Sequence, residues 1–428
     1  MPTDAGLAAT RGSGESAQVS AWASAGVVEL TGRPDGPPLV PPGRGALTAR
    51  ALAERFAVNT ARTGRAVRLD GSRLLSERAA FLGLRRGGAV SAGGACRLLP
   101  TADGWAAVSC ARPDDPALLG ALACADVGDD PWPAITRWLR EHTGDELAER
   151  AGLLGVAAGP VRPRPAPPPA PGRPSEPLEP RPLEGRLVVD FSALWAGPLC
   201  AHLLGLAGAR IVKVEIPGRP DGARRGDRGF YRLLHAGHRS VVLDPATAEG
   251  RRALAALVGA ADIVIEASRP RALARFGLNA EAAVAAGTTW ISITAHGRAS
   301  DRVGFGDDVA ASAGLVCRDA EGAPLFCGDA IADPLTGLTA AVLASTAAPR
   351  GGGTLWDLAM SDVVAATLGP PDDSPSLRAV RDGDGWAVDT GDGLVPVERP
   401  ERRAARGEAA AMGEHTSEVL RELRIPVP

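Results

Sequence analysis

The chain has 428 residues, 45% of them hydrophobic, with 47 basic and 50 acidic side chains and a net charge of −3. That is material for two or three domains, with no basic footprint for nucleic acid. No run of about 18 apolar residues exists to span a membrane, and the first residues lack the basic start and apolar run of a signal peptide, so a cytoplasmic protein with no membrane contact is expected.

Residues 18–158 form the first expected region, rich in short apolar runs. Within it, residues 22–42 (WASAGVVELTGRPDGPPLVPP) echo residues 311–328 (ASAGLVCRDAEGAPLFCG). Each carries ASAG, a short strand-type run, a turn with glycine and a Pro-Leu exit. Each is then followed by an alanine-rich helix. An old duplication with a truncated first copy explains this, as does chance in an alanine-rich chain. In that register Gly45 falls near the place of Asp333.

Residues 159–182 are dense in proline, which cannot continue a helix or a central strand and favours extended polyproline II. They are expected to be a linker. From 183 to 368 the pattern alternates. Strand-type runs are expected at 186–190, 210–215, 240–244, 262–266 and 290–294. Helical spacing is expected at 198–206, 249–258 and 282–286. Such alternation predicts an α/β fold, an open parallel sheet with helices on both faces, with ligands at the carboxyl ends of the strands. A Pro/Gly/Asp-rich segment and a tail make up 369–428.

The cysteines Cys96, Cys110, Cys124, Cys200, Cys317 and Cys327 show no CxxC spacing. They are expected to be reduced thiols, with no metal site.

The region from Leu183 resembles the class III CoA-transferases of the CaiB/BaiF type. That family holds formyl-CoA transferase, carnitine and bile-acid CoA-transferases and α-methylacyl-CoA racemase. The resemblance rests on an ordered set of motifs: the strand ending in Asp190, the loop Ala196-Gly197-Pro198, the strand from Gly208 to Glu215, and His238-Arg239-Ser240. Further on come Ala261 to Glu266, Arg275-Phe276-Gly277-Leu278, Gly306-Asp307-Asp308 and Asp333-Pro334-Leu335-Thr336-Gly337. No single motif is specific; the order of the set is. Residues 97–108, the glycine-rich 87–94 and 155–161 resemble the family's smaller α+β domain, which here precedes the sheet region instead of following it. The chain therefore resembles the end of one transferase unit, partial and degenerate, fused to the start of another.

The resemblance implies a CoA-transferase that moves CoA between an acyl-CoA and a carboxylic acid acceptor. It would proceed through an aspartyl anhydride and an aspartyl-CoA thioester, with Asp333 as the catalytic carboxylate. On residues alone, Asp333 reads first as an ordinary helix N-cap, and the resemblance is what turns the reading towards catalysis. Trp195, Ala196, Gly197 and Pro198 are implied to border the thioester. Trp195 stands where formyl-CoA transferases have glutamine, which points to a bulkier or apolar acyl group. Arg239, Ala272, Arg275 and His296 are implied CoA contacts, and Arg219, Arg224 or Arg225 stand near the place of a basic residue that is Ile216 here. No permanently bound cofactor is expected; coenzyme A is substrate. An interlocked homodimer is the implied assembly. A racemase is the alternative activity, weakened because the histidine it needs is Asp307. A non-catalytic CoA-binding or subunit-interaction protein is the third reading.

Overall fold

The computed structural model describes residues 13–162, 178–268, 270–349, 351–370 and 374–428. Most of the expected linker, residues 163–177, lies outside the described residues.

Six strands form one parallel sheet: β1 (Leu187–Asp190), β2 (Arg210–Glu215), β3 (Arg239–Val242), β4 (Ile263–Glu266), β5 (Thr289–Thr294) and β6 (Thr354–Ala359), in the order β6-β5-β4-β1-β2-β3. The first five are the runs read from the sequence. The sixth, TLWDLA, lies beyond them and pairs in register with β5 from Thr354↔Thr289 to Ala359↔Thr294. Residues alternate between two cores because successive side chains leave opposite faces of a strand. Val188, Ile211, Ile263 and Ile265 join one core with the helices Ala196–Leu206 and Ala332–Ala344. Leu187, Val189, Val212 and Val264 join the other, closed by the helix Ala248–Gly259 and by Val419 and Leu420 of the tail. Burial on both faces explains why these strands read as continuous β-branched runs rather than alternating ones.

The tail is part of this fold. His415 donates its backbone N–H to Ser240, and Thr416 Oγ1 accepts from Val242 N–H at 3.0 Å, so the last helix caps the outer strand β3. Covering an edge strand in this way blocks pairing with other chains.

The N-terminal region divides in two by its packing. Trp22, Phe56, Leu74 and Leu75 belong to the same core as Leu199 and Leu335 of the sheet region. The helix Gly45–Arg62 packs on the helix Ala332–Ala344, so the two alanine-rich helices of the internal echo lie side by side. The strand-type halves of the echo differ: the second copy forms the hairpin Val316–Arg318 and Pro324–Phe326, whereas the first forms a 3-10 turn, Val28–Leu30. Residues 96–160 form a separate unit. A three-stranded antiparallel sheet (Cys96–Pro100, Trp105–Ser109, Ala158–Pro160) carries three helices over its own core of Leu119, Leu122, Ile135, Leu139 and Leu147. This unit rests on the helix Gly306–Ser312 of the sheet region.

Candidate active site

β1 lies between β4 and β2, where the connections leave in opposite directions, and crevices of open sheets form at the carboxyl side of such a point. There β1 ends in buried Asp190, whose Oδ1 accepts from Ser192 N–H at 2.8 Å and also from the Ser192 hydroxyl. The loop then passes through Leu194, a non-glycine residue at φ 68°, before the helix Ala196–Leu206 begins. A chain of three contacts holds that strained position. Leu194 N–H donates to Asp221 Oδ1 at 3.0 Å, and Asp221 pairs with buried Lys213 at 2.9 Å. Lys213 Nζ in turn donates to the Ser192 carbonyl at 2.9 Å. Gly197 is required beside it: a Cβ there would lie 2.2 Å from Ser192 Cβ and Oγ.

Asp333 stands opposite. It lies in the first turn of the helix Ala332–Ala344, whose N-cap is Ile331 without a side-chain cap, so Asp333 does not cap its own helix. Its Oδ1 instead accepts from Ala196 N–H, the start of the neighbouring helix, at 3.3 Å. Its Oδ2 lies over Gly306, where a Cβ would be 2.1 Å away. Any side chain at 306 would occupy the carboxylate's place. Burial pushes the Asp333 carboxyl up to about 7, with Asp307 and Asp329 adding to the rise. The Arg78 guanidinium and the Ala196 N–H oppose it.

The surroundings are acidic and closed. Arg78 forks onto Asp329 through Nε at 2.9 Å and its terminal nitrogen, pairing its guanidinium with a fully buried carboxylate. Asp307 accepts from Ala330 N–H at 2.8 Å; burial and the Asp329 charge raise its pKa. Asp308 accepts from Ser109 Oγ at 2.8 Å and Phe305 N–H at 2.9 Å, and burial raises it to about 7. A cavity of about 340 Å³ opens beside Asp333 and Asp307. The sheet region supplies Leu194, Trp195, Arg225, Phe230, Phe305 and Ala330 to its walls, and the N-terminal region supplies Arg78, Leu82, Cys96, Ser109 and Arg112. Ala330 has φ 43°, so two of the four non-glycine residues at positive φ among the described residues line this cavity. Each such residue costs roughly 1 kcal/mol or more, a strain that clusters at working sites.

Trp195 is 3% exposed. Its ring meets Phe230 edge-on at 5.4 Å and carries the Arg78 guanidinium at 5.5 Å. Its indole N–H has no hydrogen-bond partner among the described residues. Pro198 is buried in the first turn of the same helix.

The other expected residues lie elsewhere. Arg239 sits at the amino end of β3, the far side of the sheet, and pairs with Glu418 and Glu422 of the tail helix. It does not line the cavity. Ala272 and exposed Arg275 lie in the segment after β4, on the carboxyl side of the sheet but outside the cavity walls. His296 follows β5; burial lowers its pKa to about 4, with Arg302 contributing, and it does not line the cavity. Of the three arginines near Ile216, Arg224 is locked onto Glu215 at 2.6 Å, Arg219 is exposed, and Arg225 lines the cavity mouth. Sequence reading missed Arg78, Asp329, Ser109 and Phe230. Arg78 and Asp329 are 251 residues apart, and no local pattern connects them.

Residues 183–371 match the family model described as CoA-transferase family III. Among curated proteins, the chain is 31% identical over 209 residues to a succinyl-CoA–D-citramalate CoA-transferase of Chloroflexus aurantiacus, covering 44% of this chain and 52% of that protein. It is likewise 31% identical over 211 residues to a succinate–glutarate CoA-transferase of Agrobacterium fabrum, covering 44% and 53%. A formyl-CoA:oxalate CoA-transferase of Escherichia coli is 34% identical over 107 residues, 23% of this chain and 26% of that protein. The chain thus spans about half the length of the first two relatives. A crystal structure of a CaiB/BaiF family protein from Brucella suis aligns with a TM-score of 0.43 at 24% identity, covering 49% of this chain and 66% of that one. No helix among the described residues is long and apolar enough to cross a membrane.

Proposed function

We propose that this chain moves CoA from an acyl-CoA thioester to a carboxylic acid, with Asp333 as the group that carries the acyl unit. The observation that supports this reading best is the Asp333 carboxylate beside the cavity, tied through one oxygen to Ala196 N–H. In the first step an Asp333 oxygen attacks the thioester carbonyl; the C–O bond forms, the C–S bond breaks, and CoA thiolate leaves. The thiolate then attacks the Asp333 carbonyl of the mixed anhydride and releases the donor acid as its carboxylate. The acceptor carboxylate attacks the resulting aspartyl thioester, thiolate leaves again, and its attack on the acceptor's carbonyl forms the new acyl-CoA and frees Asp333. No proton is consumed and no resident cofactor is needed.

Three features of the site suit these steps. A carboxyl that titrates near 7 is a more basic nucleophile than an ordinary one while remaining substantially ionised at neutral pH. The positive end of the Ala196–Leu206 helix favours negative charge beside it. Arg225 at the cavity mouth, with Arg275 on the same side of the sheet, offers guanidinium forks for the phosphates of CoA. Ala272 and His296 belong to the same proposal as outer contacts. An interlocked homodimer belongs to the same proposal.

The test is to incubate the protein with a panel of acyl-CoAs, trap with hydroxylamine and map the product by mass spectrometry. A hydroxamate on Asp333 is expected. A label confined to another residue, or none with any donor that binds, overturns the reading.

A further inference from the structure

We infer that the site selects an acyl group with an apolar, uncharged far end, aromatic or branched, over a dicarboxylic one. This rests on the reading of Asp333 as the acyl-carrying residue and names the substrate class of that same site.

Three observations carry it. First, the wall next to the carboxylate is a fixed aromatic pair. Trp195 immediately precedes Ala196, the residue whose N–H bonds to Asp333, and its ring is held edge-on by Phe230 at 5.4 Å. Such rings accept flat or branched apolar groups at little entropic cost, because they are already immobile. Second, the rim carries large apolar side chains that face solvent beside Arg225: Leu82 is 39% and Leu194 42% exposed, and both line the cavity. Large apolar side chains left open at a concave site mark a surface that a ligand covers. Leu194 is held there despite its positive φ.

Third, the charges inside are wrong for a second carboxylate. The terminal carboxylate of a succinyl or glutaryl group needs a free cation, since a buried unpaired charge is costly. Arg78 is spent on Asp329, and Arg112 on Asp115 at 2.6 Å. Among the described residues, the groups that remain beside Asp333 are the carboxyl of Asp307 and the walls already described. Arg225 lies at the exposed mouth, where it suits a phosphate of CoA. The curated relatives are named for succinate, citramalate, glutarate and oxalate; this chain departs from them in the far end of the acyl group it accepts.

Calorimetric titration of the full chain with benzoyl-CoA, succinyl-CoA and free CoA tests this. Benzoyl-CoA is expected to bind roughly 10-fold or more tightly than succinyl-CoA. Trp195→Leu, and separately Phe230→Leu, should weaken benzoyl-CoA roughly fivefold or more while changing succinyl-CoA by less than about twofold. A general loss of structure would weaken both ligands alike, so the ratio carries the result. Equal or tighter binding of succinyl-CoA, or an unchanged ratio in both variants, overturns the inference. Benzoyl-CoA preference without a hydroxamate on Asp333 would leave the acyl class standing and remove the transferase reading instead.

Discussion

Replacing Asp333 by asparagine separates chemistry from architecture, because the amide keeps the shape of the side chain and its acceptor for Ala196 N–H but cannot form an anhydride. Acyl exchange should fall by about 10³-fold or more, as for loss of a covalent nucleophile. Stability should move the other way. The folded protein holds the Asp333 proton up to about pH 7, against 3.8 for the free group. A raised carboxyl favours the fold below its unfolded pKa, and that advantage is lost as pH rises through 7. Above pH 7 the wild type keeps a buried charge that the variant lacks. At 1.36 kcal/mol per pKa unit the full difference is about 4 kcal/mol. Water reaching the carboxylate through the cavity reduces this to about 2 kcal/mol, or a few degrees in Tm. Thermal unfolding from pH 5 to pH 8.5 is the assay, with acyl exchange measured on the same samples. The variant's advantage in Tm should already be present in part at pH 5, because the unfolded carboxyl ionises near 3.8, grow towards pH 7 and level off above it. A variant that is equally destabilised at every pH refutes the electrostatic argument, and one that retains exchange refutes the nucleophile.

Exchange by the wild type should rise with pH and level off above about 7, as Asp333 ionises. Asp307→Asn should shift that limb to lower pH, since the Asp307 charge is among the groups that raise Asp333; a pH–rate profile decides, and an unmoved limb assigns it to another group. Gly306→Ala should cost about 1–3 kcal/mol of stability and roughly 10²-fold in exchange, because the new methyl lands on Asp333 Oδ2. Tm and kcat measured together check this, and wild-type exchange in that variant would show that Asp333 works from another position.

Much of the sheet region was legible in the chain itself. Strands buried on both faces must be almost wholly apolar, so RLVVD, RIVKVE, DIVIE and WISIT announce themselves, and the helices between them keep their own period. The Ala196-Gly197-Pro198 loop and Asp333 were singled out by the resemblance to the CoA-transferases, since on residues alone they read as a tight turn and a helix cap. Arg239 shows the limit of that reading. Its place in a motif suggested a ligand contact, but the direction of its guanidinium depends on Glu418 and Glu422, far along the chain in a tail helix.

What the sequence determined, then, is the parallel sheet and its helices, because backbone periodicity and turn chemistry act over a few residues. Only the tertiary structure decided which charges surround Asp333 and which face closes over it. Arg78 reaches Asp329, Ser109 reaches Asp308, and the unit spanning 96–160 rests on the helix Gly306–Ser312. The electrostatics of a buried carboxyl depend on distance through space and on exclusion of water, and neither is encoded by spacing along the chain.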